Sequence, residues 1–210
     1  NMLQINQGGK HFTEVALLSG VAATDWSWST LFADYDQDGE QDIFVCNGIP
    51  KRPNDLDYIK YYSNSSIKTK LNSTKLLDKQ ALKKMPSANV SNYVFQGSKD
   101  LQFKNRSKDW IENDSIISNG GAYADLDNDG DLDLVINNLN QEATLLQNQT
   151  RKSNAKTENS FINIKFNGLN GNTKGIGAKA LVYHDGKMKV QENYPSRGFQ
   201  SSVPPFIQMG

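Results

Sequence analysis

The sequence predicts an all-β chain, and three observations predict it. Asn, Ser, Gly and Asp are frequent, which favours turns and strands over long helices. Two continuous apolar runs, Ile43-Phe44-Val45-Cys46 and Leu134-Val135-Ile136, have the length and β-branched content of buried central strands. Each run leaves an acidic loop of one design, Asp34-Tyr35-Asp36-Gln37-Asp38-Gly39-Glu40-Gln41-Asp42 and Asp125-Leu126-Asp127-Asn128-Asp129-Gly130-Asp131-Leu132-Asp133.

The loops sit 91 residues apart, and the same offset aligns Leu3 with Val94, Phe12 with Phe103, Ser27 with Ser118 and Phe32 with Tyr123. A third partial copy begins at Leu145-Leu146-Gln147-Asn148, which echoes Leu3-Gln4-Ile5-Asn6. Strands are expected near 2–5, 11–15, 28–33, 42–46, 93–96, 101–104, 121–125, 133–137 and 144–147. Four strands per repeat is the pattern of a propeller blade, so residues 1–149 read as consecutive blades of a partial β-propeller.

A period of 91 residues is long for one blade, and residues 50–92 hold the excess. Asn54 can cap a helix through Asp55–Tyr62, and a second helix is expected from Thr74 to about Lys84, ended by Pro86. This insertion carries nine Lys/Arg against three Asp, the composition of a solvated excursion or of a docking surface. Residues 150–160 are polar and read as a linker. Residues 161–210 read as a small antiparallel β domain. Phe161–Phe166 alternates as a half-exposed strand, and Asp185-Gly186 joins Lys179–His184 to Lys187–Glu192 as a two-residue hairpin.

Composition excludes several classes. No apolar run approaches the length of a membrane span. The chain begins at Asn1 without Met, as a mature form or excised fragment does, so a missing leader carries no information about export. Net charge is zero, but the loops hold ten of the 23 acidic residues, leaving 23 basic against 13 acidic elsewhere. That imbalance suits an anionic partner and gives no support to sequence-specific nucleic-acid binding. The single cysteine, Cys46, falls within an apolar run and is expected to be buried. His11 and His184 read as surface residues, and no nucleophile motif accompanies them. Trp26 and Trp28 precede the first loop, where alternation points one inward and one outward. Core packing is their default role, with sugar stacking as the alternative.

Aspartates this close repel one another, and a hard divalent cation with many oxygen ligands removes the repulsion. Numbered from its first Asp, each loop places carboxylates at positions 1, 3 and 5 (Asp34, Asp36, Asp38; Asp125, Asp127, Asp129). Gly39 or Gly130 stands at position 6, where a sharp turn is needed. Position 7 (Glu40 or Asp131) is expected to offer its carbonyl, and position 9 (Asp42 or Asp133) its side chain. Position 12 is Val45 or Ile136, not the glutamate of an EF-hand, and no helices flank the loops. The expectation is two strand–loop–strand Ca²⁺ sites of structural kind, the alternative being acidic turns without metal.

With these residues in hand, the chain resembles a known combination of families. Phe12-Thr13-Glu14-Val15-Ala16, Trp26-Ser27-Trp28-Ser29 and both acidic loops resemble the FG-GAP/VCBS repeats of integrin-like β-propellers. Asn167-Gly168, Asn172, Gly175-Ile176-Gly177-Ala178 and Arg197-Gly198-Phe199-Gln200-Ser201-Ser202 resemble the ASPIC/UnbV domain that follows such repeats. The chain departs from that domain's usual Phe-Gly-Leu-Gly ending at Ile207-Gln208-Met209-Gly210. The resemblance implies an exported, extracytoplasmic protein, secreted, periplasmic or at the cell surface, with further blades outside this sequence. The expected function is binding or adhesion, with a carbohydrate or protein partner. The alternatives are an accessory subunit or domain of an exported enzyme, for which Arg197 and Glu192 are the local candidates, and a structural spacer.

Overall fold

The computed structural model describes residues 1–63, 82–112, 115–153 and 160–210. These residues form mostly β structure with little helix, in several small antiparallel sheets that close no barrel or ring among the described residues. A two-stranded ribbon pairs β1 (Gln4–Asn6) with β2 (Phe12–Glu14). A four-stranded sheet runs in the order β3 (Ser27–Ala33), β4 (Asp42–Asn47), β5 (Tyr93–Gln96), β6 (Lys104–Asn105). A three-stranded sheet holds β7 (Ser118–Ala124), β8 (Asp133–Asn138) and β9 (Thr144–Leu146). Near the C-terminus β10 (Ile162–Lys165) pairs with β13 (Phe206–Met209), and β11 (Lys179–His184) with β12 (Lys187–Glu192).

The sheets are out of phase with the sequence repeat. Each acidic hairpin leaves its own opening strands behind and pairs with the first strands of the following copy: Phe44 faces Val94, and Val135 faces Leu145. The ribbon β1–β2 has the register of β5–β6, since Gln4 opposite Glu14 matches Phe95 opposite Asn105. It stands as a separate two-stranded sheet.

The central sheet is covered on both faces, which explains its apolar exit strand. Along β4 the side chains alternate. Phe44 and Cys46 join Leu31, Val94, Tyr123, Leu134 and Ile136 in the core shared with the second sheet. Ile43 and Val45 join Ala16, Val21 and Phe95 in a second core under the β1–β2 segment. Gly121 on β7 lets the two sheets close up, because a Cβ there would meet Cys46 Sγ at 3.3 Å and Leu31 Cδ1 at 3.4 Å. The second exit strand, β8, is buried on one face only. Val135 is half-buried and Asn137 exposed, so its reading as a strand buried throughout is corrected: no described sheet covers that side.

The insertion leaves between β4 and β5, inside the sheet's own meander. An isolated bridge between Ile49 and Ala88, with Arg52 N–H donating to the Pro86 carbonyl, pins its two ends together. The first helix, α1 (Leu56–Ser63), is capped by Asp55, whose Oδ1 accepts the Tyr58 N–H, not by Asn54 as the spacing suggested. Most of the second expected helix lies outside the described residues, and residues 82–84 are helical. A four-residue helix, α2 (Ser107–Trp110), follows β6.

The start of the segment read as a linker is helical. Thr150–Ser153 forms a short helix, α3, whose start is tied back to the loops through Thr150 Oγ1 and the Tyr35 carbonyl. Residues 154–159 of that linker lie outside the described residues. Trp26 and Trp28 are both half-buried, not one in and one out. Trp28 Nε1 donates to the Gly48 carbonyl, and its ring packs 4.9 Å from that of Phe199. The Asp185-Gly186 hairpin turns as expected, both residues having positive φ.

Phe44 is fully buried between the two sheets. Phe44→Ala is expected to cost about 3–5 kcal/mol in chemical denaturation, whereas Leu145→Ala, on an exposed edge, stays within about 0.5 kcal/mol.

Candidate metal centres

Each acidic loop is a strand–loop–strand element held by hydrogen bonds that repeat from one copy to the other. The position-1 carboxylate accepts the N–H of the position-6 glycine (Gly39 to Asp34, 2.9 Å; Gly130 to Asp125, 3.2 Å). Position 3 accepts from the N–H of position 5 (Asp38 to Asp36; Asp129 to Asp127), and position 5 from that of position 7 (Glu40 to Asp38; Asp131 to Asp129). Gly39 and Gly130 have φ of 90° and 95°, and at position 4 Gln37 and Asn128 are also left-handed, at 56° and 60°.

Position 9 has a second task that its sequence spacing did not reveal. Asp42 accepts the Tyr35 N–H at 2.9 Å with one oxygen and the Gly97 N–H at 2.8 Å with the other. Asp133 does the same with Leu126 at 3.0 Å and Asn148 at 2.8 Å. The aspartate thus joins its own loop to the end of the next strand.

Carboxylate oxygens of Asp34, Asp36 and Asp42 lie within 4.8 Å of one another, as do those of Asp125, Asp127 and Asp129. The structure gathers six of the ten residues singled out in the sequence. Asp38 and Glu40 fall outside the first group, and Asp131 and Asp133 outside the second. Asp131 is fully buried instead, with Oδ2 accepting the Arg151 N–H. Buried oxygens without a hydrogen-bond partner remain at Asp34 Oδ1, Asp125 Oδ1 and Asp131 Oδ1. Unsatisfied anionic oxygens beside other carboxylates are costly. The donor set, all oxygen and several-fold anionic, fits a hard divalent cation.

The electrostatics agree with that fit. Burial, with some help from neighbouring carboxylates, pushes Asp42 up to about 8 and Asp34 up to about 6. Burial raises Asp36 as well and pushes Asp131 up to about 6. Burial likewise pushes the Cys46 thiol up to about 12, so it is an inert core residue.

Other residues surround the loops that the spacing alone did not mark. Gln96 Nε2 donates to Asp36 Oδ2, and Gln147, at the matching place after β9, donates to Asp127 Oδ2. The signal was present, since Val94-Phe95-Gln96 and Leu145-Leu146-Gln147 are copies of one strand. The two loops also touch. Gln37 Nε2 donates to the Gly130 carbonyl at 2.7 Å, and Asn148 Nδ2 to the Tyr35 carbonyl at 2.8 Å. The C-terminal strand seals them from the side. Gln208 Nε2 donates to Gly130 O at 2.8 Å, the Gly210 N–H to Asp34 Oδ2 at 3.1 Å, and Lys189 Nζ to Gly210 O at 2.9 Å.

A family model described as ASPIC and UnbV matches residues 168–210. No curated protein matches the chain.

Two outcomes follow. Asp42→Ala leaves two buried N–H groups without acceptors and is expected to cost about 2–6 kcal/mol in denaturant unfolding. In chelator, Asp34, Asp42 and Asp131 hold protons in the folded state that the unfolded chain has released. Their contribution to stability is therefore greatest below pH about 4 and falls as pH rises through about 6 and 8. Melting temperatures between pH 4 and 8 check this, and saturating calcium should flatten the slope.

Proposed function

We propose that the chain is part of a calcium-held, extracytoplasmic binding scaffold that recognises a carbohydrate or protein partner. In this reading residues 1–149 are FG-GAP/VCBS-like blades of a β-propeller, and an ASPIC/UnbV-type domain follows them. The observation that carries it is the pair of loops, alike in hydrogen bonding, each presenting three carboxylates within 4.8 Å.

The roles of the chain's own residues follow from that geometry. Asp34, Asp36 and Asp42 would hold one ion and Asp125, Asp127 and Asp129 the other. Bound calcium supplies positive charge and accepts many oxygen ligands at once. Gly39 and Gly130 bend the loops so that the carboxylates converge, while Gln96 and Gln147 orient Asp36 and Asp127 by hydrogen bonds. Asp42 and Asp133 fix each loop to the adjoining strand, so an occupied site would stiffen the sheet as well as the loop. This is an architectural duty, and it leaves recognition to other surfaces.

The blade reading draws support from β1–β2, which repeats the register of β5–β6 without a hairpin beside it. Phe12 is 65% exposed, whereas its copy Phe103 is half-buried against a core. A preceding blade would cover Phe12. Extracellular calcium modules bind at about 10⁻⁴–10⁻³ M, and loops of that affinity would fill where calcium is millimolar, outside the cell.

Calcium titration by calorimetry should show two sites, and melting should rise with calcium and fall with chelator. At a hundredfold excess over Kd each site stabilises by about 2.7 kcal/mol. Asp36→Ala and Asp127→Ala should each remove one site's share. No heat and an unchanged melting temperature would sink the reading.

A further inference from the structure

A second feature lies away from the carboxylate clusters. A cleft of about 530 Å³ opens where both acidic hairpins meet the C-terminal segment, with walls from Phe32, Tyr123, Tyr194 and Phe206. That volume suits a small ligand. Its lining holds polar side chains with unmet hydrogen-bonding capacity. Arg197 lies beside the Tyr123 hydroxyl, and its Nε is buried without a hydrogen-bond partner. Arg197 has no ion pair among the described residues. Gln208 is 8% exposed, and its Oε1 is also buried without a partner while Nε2 is spent on Gly130. Glu192 is the carboxylate in the lining, and Lys179 at 3.7 Å balances it.

A guanidinium that lacks its anion asks for a carboxylate, which it can grip with two parallel N–H groups. A buried amide oxygen that lacks its donor asks for a hydroxyl or N–H. Gln41 and Gln191 add further amides to the lining. Phe32 and Tyr194, 37% and 53% exposed, offer apolar faces at the same opening. A sugar ring bearing a carboxylate meets all three demands. Its hydroxyls match the amides, its C–H face packs on an aromatic ring, and its carboxylate meets Arg197.

We propose that this cleft binds a uronic-acid residue, with Arg197 on the carboxylate, Gln208 on a ring hydroxyl and Tyr194 against the sugar face. The inference deepens the binding reading above and rests on it for the claim that the protein is a recognition module. It does not depend on the loops acting as metal ligands.

The test uses the whole chain in saturating calcium, titrated by calorimetry and followed by NMR. The probes are galacturonic acid and its trimer, with galactose and acetate for comparison. The uronates are expected to bind, with galactose and acetate at least about tenfold weaker. Arg197→Gln should weaken the trimer about 10–100-fold, and Tyr194→Ala several-fold. Melting with calcium should be unchanged in both. Should Arg197→Gln fail to fold, Arg197→Lys and Tyr194→Ala carry the test, since the lysine keeps charge but loses the two-pronged grip. Equal affinity for galacturonate and galactose overturns the proposal. So does unchanged affinity in the variants, or no binding of the trimer at about 1 mM. A carboxylate-terminated peptide competing as well as the trimer would overturn the sugar assignment. Calcium stabilisation without uronate binding defeats this inference alone, and uronate binding without a calcium response defeats only the metal reading.

Discussion

The structure depends on one repeated interaction: a buried aspartate that accepts two backbone N–H groups from different strands. Asp42 holds Tyr35 and Gly97, and Asp133 holds Leu126 and Asn148. A backbone N–H removed from water must find an acceptor, and a carboxylate has lone pairs for several. The pairing fixes the loop to the third strand of its sheet even though, in the first copy, the whole insertion intervenes between Val45 and Tyr93. Burial of that carboxylate outweighs the two N–H bonds, which favour its charged form, and pushes Asp42 up to about 8.

That constraint sets where the hydrophobic energy goes. With β3, β4 and β5 held in register, β4 presents Phe44 and Cys46 to one side and Ile43 and Val45 to the other. Each side meets a separate layer, so a strand without any polar alternation is satisfied at every residue. The second hairpin obeys the same rule with one face covered, and Asn137 stands in solvent where its copy Cys46 is buried.

Much of this was legible in the sequence. The 91-residue offset marked both loops, and the runs after them marked β4 and β8, because burial demands apolar side chains and a tight turn demands glycine. The two-residue hairpin was legible for the same local reason. Less legible was the phase of the sheets. Repeats in sequence say which segments are copies, not which copy lends its strands to which sheet, and that choice rests on long-range pairing. Asp42 and Asp133 looked like simple ligands, since a spacing rule records what a side chain could bind but not which backbone N–H groups lie opposite it. Asp131 was expected to offer its carbonyl, and the spacing did not show that its side chain lies buried, accepting the Arg151 N–H at the fold-back of α3.

The sequence by itself determined the local elements: two acidic loops of one design, the strands that enter and leave them, and the hairpin at Asp185-Gly186. These follow from turn chemistry, periodicity and charge repulsion, which act over a few residues. Only the tertiary structure decided what sits against the loops. The C-terminal strand brings Gln208 and Gly210 onto Gly130 and Asp34, and the same docking walls off the cleft around Arg197. Those contacts join residues far apart in the chain, and no periodicity encodes them. There the strand adds second donors to acceptors that Gln37 and Gly39 already meet.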